Sequence, residues 1–238
     1  MVKPGNFIFR YRNLIFPSFF VALVLGTTPY IGSGHLEKWR YAAGITIALT
    51  GQIIRALTIG LVYIIRGGRN RKVYAETLVK DGIFAHCRNP LYVGNILIVI
   101  GLGITANSIP FYIAGIPLFI VMYMAIIKAE EGYLTSKFGQ EYIEYIKGVN
   151  RLIPNLSGII KTIKGMKFNW ARLIVKEYGT TYAWVVCMIL LIIKNQYMRY
   201  GSEMNKTAFL FLLALFIFVT FLYAIARYLK KSERLVAD

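Results

Sequence analysis

Acidic residues are scarce in this 238-residue chain, with 11 Asp and Glu against 28 Lys and Arg and a formal net charge of +17. Cysteine and histidine are scarcer still: only Cys87, Cys187, His35 and His86 occur. The two cysteines fall in different kinds of segment, a basic loop and an apolar run, which disfavours a disulfide framework. Neither histidine has a Cys or His neighbour at ligand spacing, so no zinc site is expected. Charged residues of all kinds make up 16% of the chain and hydrophobic ones 57%, with a mean hydropathy of +0.54. That balance excludes an ordinary soluble domain and puts the chain in a bilayer.

A spanning helix needs roughly 20 mostly apolar residues, because each rises about 1.5 Å through a hydrocarbon core about 30 Å thick. Six segments come near that length: 13–31, 40–65, 91–107, 110–127, 180–197 and 207–227. The third and fourth are separated only by a turn ending in Pro110, which predicts a tight antiparallel hairpin with the proline opening the second helix. The first run is too long and too closely followed by another to read as a signal peptide. The expected fold is therefore all-α: a polytopic integral membrane protein of about six transmembrane helices, forming a single membrane domain over 1–238.

The basic residues are distributed between loops, not concentrated in a patch, and this argues against nucleic acid as a partner. The N-terminus, residues 66–89, residues 128–179 and the C-terminal tail together hold 22 Lys and Arg, whereas the opposite loops hold four: Lys38, Arg40, Arg199 and Lys206. Positively charged loops stay on the cytoplasmic side, so both termini and both large loops are expected there. Within 158–176, Ile159, Ile163, Met166, Trp170, Leu173 and Ile174 share one helical face and Lys161, Lys164 and Arg172 another. An interfacial helix on anionic lipid headgroups is predicted.

The two large loops also carry the chemistry. Gly82-Ile83-Phe84-Ala85-His86-Cys87-Arg88-Asn89-Pro90-Leu91-Tyr92-Val93-Gly94 leads into the third apolar segment, and Glu130-Glu131 closes the fourth. Gly82 and Gly94 would let backbone approach a ligand closely, and Pro90 at a helix start leaves amide donors before it. Arg88 suits a carboxylate or phosphate bidentately, and His86 offers a ring or backbone bond. A like-charged acidic pair at the end of a span calls for a cation, which Arg88, Arg151 or a ligand ammonium would supply. Arg55 lies inside the second span, one turn from Gln52, and an ionisable group at that depth is a candidate substrate contact. Gly101-Leu102-Gly103 lacks a strand-turn-helix context and reads as helix packing, not as a dinucleotide fingerprint.

In order and spacing, Leu78-Val79, Gly82-Ile83, Arg88-Asn89-Pro90, Tyr92, Gly94, Glu130-Glu131, Leu134, Phe138-Gly139, Tyr142, Tyr145, Arg151 and Pro154 resemble the signature of a family of integral-membrane methyltransferases. That family comprises isoprenylcysteine carboxyl methyltransferases and phospholipid N-methyltransferases. The resemblance covers 77–154, leaving 155–238 as an interfacial helix plus two extra transmembrane helices. It implies S-adenosylmethionine as cofactor, held at a cytoplasmic pocket by Phe84, Ala85, His86, Cys87, Tyr92, Leu97, Ile98, Ile100, Glu130 and Glu131. Arg88 and Glu131 would be catalytic, and Arg55, Tyr145 and Arg151 would meet the acceptor.

The acceptor would be a membrane lipid or lipidated molecule: a phospholipid amine, an isoprenylcysteine carboxylate or a small thiol. Carboxyl methyltransferases of the family carry an arginine one turn before the acidic pair where this chain has Ile126, which disfavours the prenylcysteine. An amine acceptor would make Glu131 or Tyr145 the candidate base. A sterol-type reductase using a nicotinamide cofactor shares an Asn-Pro-x-Tyr-x-Gly pattern, and a small transporter is the non-enzymatic rival, although only Arg55 is clearly internal to a span. Single cysteines placed at Asn70 and Ser157 are expected to be labelled from the same side of the membrane; labelling from opposite sides would separate the two motif loops.

Overall fold

The computed structural model describes residues 2–30, 36–62 and 73–236, so His35, Gly67, Gly68 and Asn70 lie outside the described residues. The described residues form eight α-helices: α1 (Val2–Gly26), α2 (Glu37–Leu61), α3 (Pro90–Ala106), α4 (Ile116–Phe138), α5 (Gln140–Gly148), α6 (Ile159–Lys164), α7 (Trp170–Tyr200) and α8 (Lys206–Lys231). No strand occurs among them. A 3-10 turn, Gly82–Ala85, precedes α3, and a π-helical turn, Phe111–Gly115, runs into α4.

The all-helical membrane architecture is as expected, with one correction to the count. Among the described residues, five segments are long and apolar enough to cross a bilayer: Val2–Gly26, Glu37–Leu61, Phe111–Phe138, Trp170–Glu203 and Lys206–Lys231. The sixth, α3, has 17 residues, the lower limit for a span. The first helix begins at Val2, well before residue 13, and carries Arg10 and Arg12 on its own turns. The α3–α4 hairpin is present. Asn107 ends α3 in the left-handed conformation at φ 51°, its N–H donating to Gly103 O, and Pro110 opens the next helical turn.

The single amphipathic helix expected over 158–176 is instead broken. Six residues form α6, Gly165 ends it, and α7 starts anew at Trp170. The break is anchored at both levels of structure. Asn169 caps α7 through a 2.8 Å bond from Arg172 N–H to its side chain, and its own N–H donates to Gly60 O at the end of α2 at 2.8 Å. Ile163, Met166 and Phe168 pack on a buried cluster of Leu61, Val62, Ile83 and Phe84, so part of the apolar face meant for lipid is spent inside the protein.

Helices α2 and α3 make the closest pairing. A Cβ at Gly51 would stand 2.4 Å from Gly94 O, one at Gly101 2.4 Å from Gly44 O, and one at Gly94 2.5 Å from the Arg55 side chain. Backbone therefore touches backbone, the small-residue solution to packing where apolar surface gives no driving force between helices. Gly94 and Gly101 serve this packing, not the close approach to a ligand expected of Gly94. On the other side α1 packs on α4 through aromatic rings: Phe16 stacks on Tyr123 at 5.0 Å, and Phe19 meets Phe119 at 5.0 Å. Helix α7 packs against α1, α2 and α3, and α8 leans on α7, where Tyr182 stacks on Tyr223 at 4.3 Å.

The glycine contacts make a stability prediction. Gly51→Ala forces a methyl into the Gly94 carbonyl and is expected to cost about 1–3 kcal/mol. Gly132→Ala, whose Cβ would meet only Val2 at 3.9 Å, is expected to be neutral or stabilising. Thermal unfolding in detergent measures both.

Candidate functional site

The segment before α3 and the segment after α5 bind each other at one end of the bundle. Gly82, at φ 62°, turns the chain into the 3-10 turn in a conformation that L side chains rarely adopt. A Cβ there would also meet Met166 Sδ at 2.9 Å. Beyond the turn, Arg88 N–H donates to Asn150 O at 3.0 Å and Asn155 N–H to His86 O at 2.9 Å. Side chains add to this strap. Asn89 Nδ2 donates to Arg151 O at 3.1 Å, and the Tyr145 hydroxyl donates to Phe84 O at 2.7 Å.

His86 is buried with Nδ1 2.8 Å from Asn155 O and Nε2 2.9 Å from Thr162 Oγ1. A carbonyl can only accept, which assigns the proton to Nδ1 and leaves Nε2 to accept from the threonine. Cys87 is buried beside the carbonyls of Arg151 and Leu152, and burial raises its thiol pKa, so it stays protonated at neutral pH. Both residues thus turn toward the 150–162 segment.

The acidic pair divides its labour. Glu131 lies between two guanidiniums: Arg151 donates through Nε and Nη2 at 2.9 and 2.8 Å, and Arg88 Nη1 stands 3.1 Å away. The bonds that Arg151 donates to Glu131 raise its pKa above the ordinary value. Glu130 points elsewhere, accepting a 2.6 Å bond from the Tyr92 hydroxyl, and is buried. Successive helix positions differ by about 100°, which is why one carboxylate faces the strap and the other the bundle interior.

Inside the bundle lies a cavity of about 930 Å³. Phe84, Arg88, Tyr92 and Glu130 line its motif end, and Ile98, Phe119, Tyr123 and Trp184 line it further along the helices. From Glu130 to Phe119 the α4 wall descends about 16 Å at helical rise. Helices α1, α7 and α8 supply the remaining walls and add Arg12, Lys176 and Lys230. Arg55 and Asn95 also line it, with the Arg55 fork bonded to Glu177 of α7 at 2.8 and 2.5 Å.

Of the residues singled out by sequence, Phe84, Arg88, Tyr92, Ile98, Glu130 and Arg55 therefore share one cavity. Ala85, His86, Cys87, Leu97, Ile100, Glu131, Tyr145 and Arg151 do not line it. Leu97 faces the glycine contact with α2, and Glu131 and Tyr145, the expected bases, are committed to Arg88 and Arg151 and to Phe84 O. Among the described residues no group of three or more His, Cys, Asp or Glu could hold a metal ion.

Comparison with known proteins bears on this arrangement. Residues 39–141 match the phospholipid methyltransferase family. The matched segment begins earlier than the motifs alone suggest, taking in α2 with Arg55, and ends before Arg151 and the whole of α7 and α8. Three relatives extend the likeness. The cobalt-zinc-cadmium resistance protein CzcN of Cupriavidus metallidurans is 34% identical over 114 residues, 48% of this chain and 47% of that protein. The nickel-cobalt-cadmium resistance protein NccN of Alcaligenes xylosoxydans is 28% identical over 156 residues, 64% and 68% of the two chains. A protein-S-isoprenylcysteine O-methyltransferase of Schizosaccharomyces pombe is 28% identical over 158 residues, 65% and 61% of the two chains. The chain thus spans about half the length of CzcN. No solved structure matches.

Sequence reasoning missed Asn95, Glu177 and Trp184. One signal was available: Glu177 is the sole acid between Glu144 and Glu203, while Arg55 had no acid near it in sequence. The Glu131 clamp makes the prediction here. Glu131→Ala strands Arg88 and Arg151 and is expected to cost at least about 2 kcal/mol. Glu141→Ala, which breaks only the exposed contact with Lys80, is expected to cost under about 1 kcal/mol. Thermal unfolding and proteolysis of the 149–157 strap would register the difference.

Proposed function

We propose that this protein is a membrane methyltransferase that uses S-adenosylmethionine and acts on an amine-bearing phospholipid entering the cavity from the bilayer. The observation that carries the reading is the meeting of Arg88, Tyr92 and Glu130 at one end of a cavity that Ile98, Phe119, Tyr123 and Trp184 line further along the helices. The family match over α2 to α4 and the isoprenylcysteine methyltransferase relative support the reaction class.

The residues present fit the donor. Arg88 Nε is buried without a hydrogen-bond partner, although Arg88 lines the cavity, so its fork retains a donor for a carboxylate. Glu130 supplies an anion for an ammonium, oriented by the Tyr92 hydroxyl. Phe84, Tyr92 and Tyr123 offer faces for an adenine or a sulfonium. S-Adenosylmethionine, when bound, supplies an electrophilic methyl and needs no metal or protein nucleophile.

The chain's own part is then to position and dry the reactants. Glu131 holds Arg88 in place through a 3.1 Å contact, and the strap formed by residues 149–155 backs the Phe84–Arg88 loop. The apolar walls of α1, α4 and α7 exclude water and take acyl chains. Arg12, Lys176 and Lys230 favour an acceptor with a phosphate. Desolvation lowers the pKa of an amine, so a headgroup amine reaches the methyl as the neutral nucleophile without the bases first expected, Glu131 and Tyr145. The Lys and Arg bias of the loops supports a cytoplasmic polar end, on the side where the donor is made.

Isothermal titration separates this reading from a reductase or a transporter. The protein is expected to bind S-adenosylmethionine and not reduced nicotinamide, with Arg88→Gln and Glu130→Gln each weakening the donor about tenfold and Lys147→Ala leaving it unchanged. Binding of the nicotinamide alone would sink the proposal.

A further inference from the structure

Arg55 lies on the cavity wall, and its guanidinium is already taken. Nε and Nη2 donate to the two Glu177 oxygens at 2.8 and 2.5 Å, and Nη1 donates to Asn95 Oδ1 at 2.6 Å and Leu91 O at 3.3 Å. Arg55 is 8% exposed and Glu177 3%. Gln52 steadies the acid, with Nε2 3.4 Å from Glu177 Oε2, and Gln52 Oε1 accepts from Trp184 Nε1 at 2.8 Å. Glu177 itself does not line the cavity, and it stands outside the segment that matches the family.

A planar fork filled on both teeth by one carboxylate has no room for another in the same geometry. An incoming carboxylate would also have to leave water and find its charge already answered, since the Arg55–Glu177 pair is neutral. A neutral group, such as an uncharged amine, meets neither obstacle.

We propose that Glu177 is a specificity-determining residue: by occupying the Arg55 fork from α7, it takes one bidentate guanidinium off a wall that keeps Arg12, Arg88, Lys176 and Lys230, and so shifts the cavity's preference away from acceptors that carry a carboxylate and toward those whose reacting group is neutral. This rests on the cavity being the acceptor site. It gives the C-terminal helices, outside the family segment, a part in choosing the substrate.

The test compares a long-chain fatty acid with the amide of the same chain, titrated into the full-length protein in lipid nanodiscs. Wild type, whose wall also carries Arg12, Arg88, Lys176 and Lys230, sets the reference ratio of the two affinities. Glu177→Gln, which keeps the shape and frees the fork, is expected to raise that ratio about tenfold toward the carboxylate. Arg55→Gln/Glu177→Gln, with no fork, is expected to return it to within about threefold of wild type. A folded Glu177→Gln with an unchanged ratio overturns the proposal; should Glu177→Gln not fold, a double variant whose ratio departs about tenfold from wild type overturns it instead. Titration of the same samples with S-adenosylmethionine tests the methyltransferase reading separately, because donor binding can fail while the carboxylate preference appears.

Discussion

A guanidinium enclosed by hydrocarbon must find an anion, and Arg55 of α2 finds it in Glu177 of α7, more than a hundred residues away in sequence. Much of the bundle depends on this meeting. The same guanidinium donates to Asn95 Oδ1 and Leu91 O of α3, whose backbone nearly touches that of α2, as Gly44, Gly51, Gly94 and Gly101 permit. With α7 drawn in, Trp184 closes one wall of the cavity and α8 follows through Tyr182 and Tyr223. The pair need not add net stability, since burying two charges costs several kcal/mol per ion before their attraction is counted. Its value is that alternative packings would leave a charge unpaired in lipid.

The same constraint organises the polar end. Glu131 sits between Arg88 and Arg151 and thereby joins the loop before α3 to the strap after α5. Backbone bonds from Arg88 to Asn150 and from Asn155 to His86 complete the join. A buried histidine and a buried cysteine, residue types often read as reactive, serve here to hold the strap in place. At its motif end the cavity is faced by Arg88, which Glu131 holds, and by the hydrogen-bonded Tyr92 and Glu130.

Motif and fold also interact in how the family match is divided. The matched segment, 39–141, contains α2, α3 and α4, and these bring Tyr92, Arg55 and Glu130 to the cavity. The other walls come from α1 before it and α7 and α8 after it. The matched and unmatched segments thus enclose one cavity between them.

Sequence alone determined the class of the molecule. Apolar runs of spanning length, the Asn107–Pro110 turn and the sparse charge made an all-helical membrane protein legible, because in hydrocarbon a helix satisfies every backbone group within its own segment. The spacing of Arg88, Tyr92 and Glu130 likewise made half of the cavity's polar end legible, since motif order survives in the chain. What only the tertiary structure decided were the pairings across helices. That Glu131 would answer two arginines while Glu130 answered Tyr92 depends on helix rotation, and that Arg55 would be neutralised by Glu177 depends on which helix packs beside which. The break between α6 and α7 belongs here too, for Ile163 and Met166 show a lipid-facing pattern in sequence yet pack on Leu61, Val62, Ile83 and Phe84. Periodicity reports that a face is apolar; only packing reports what covers it.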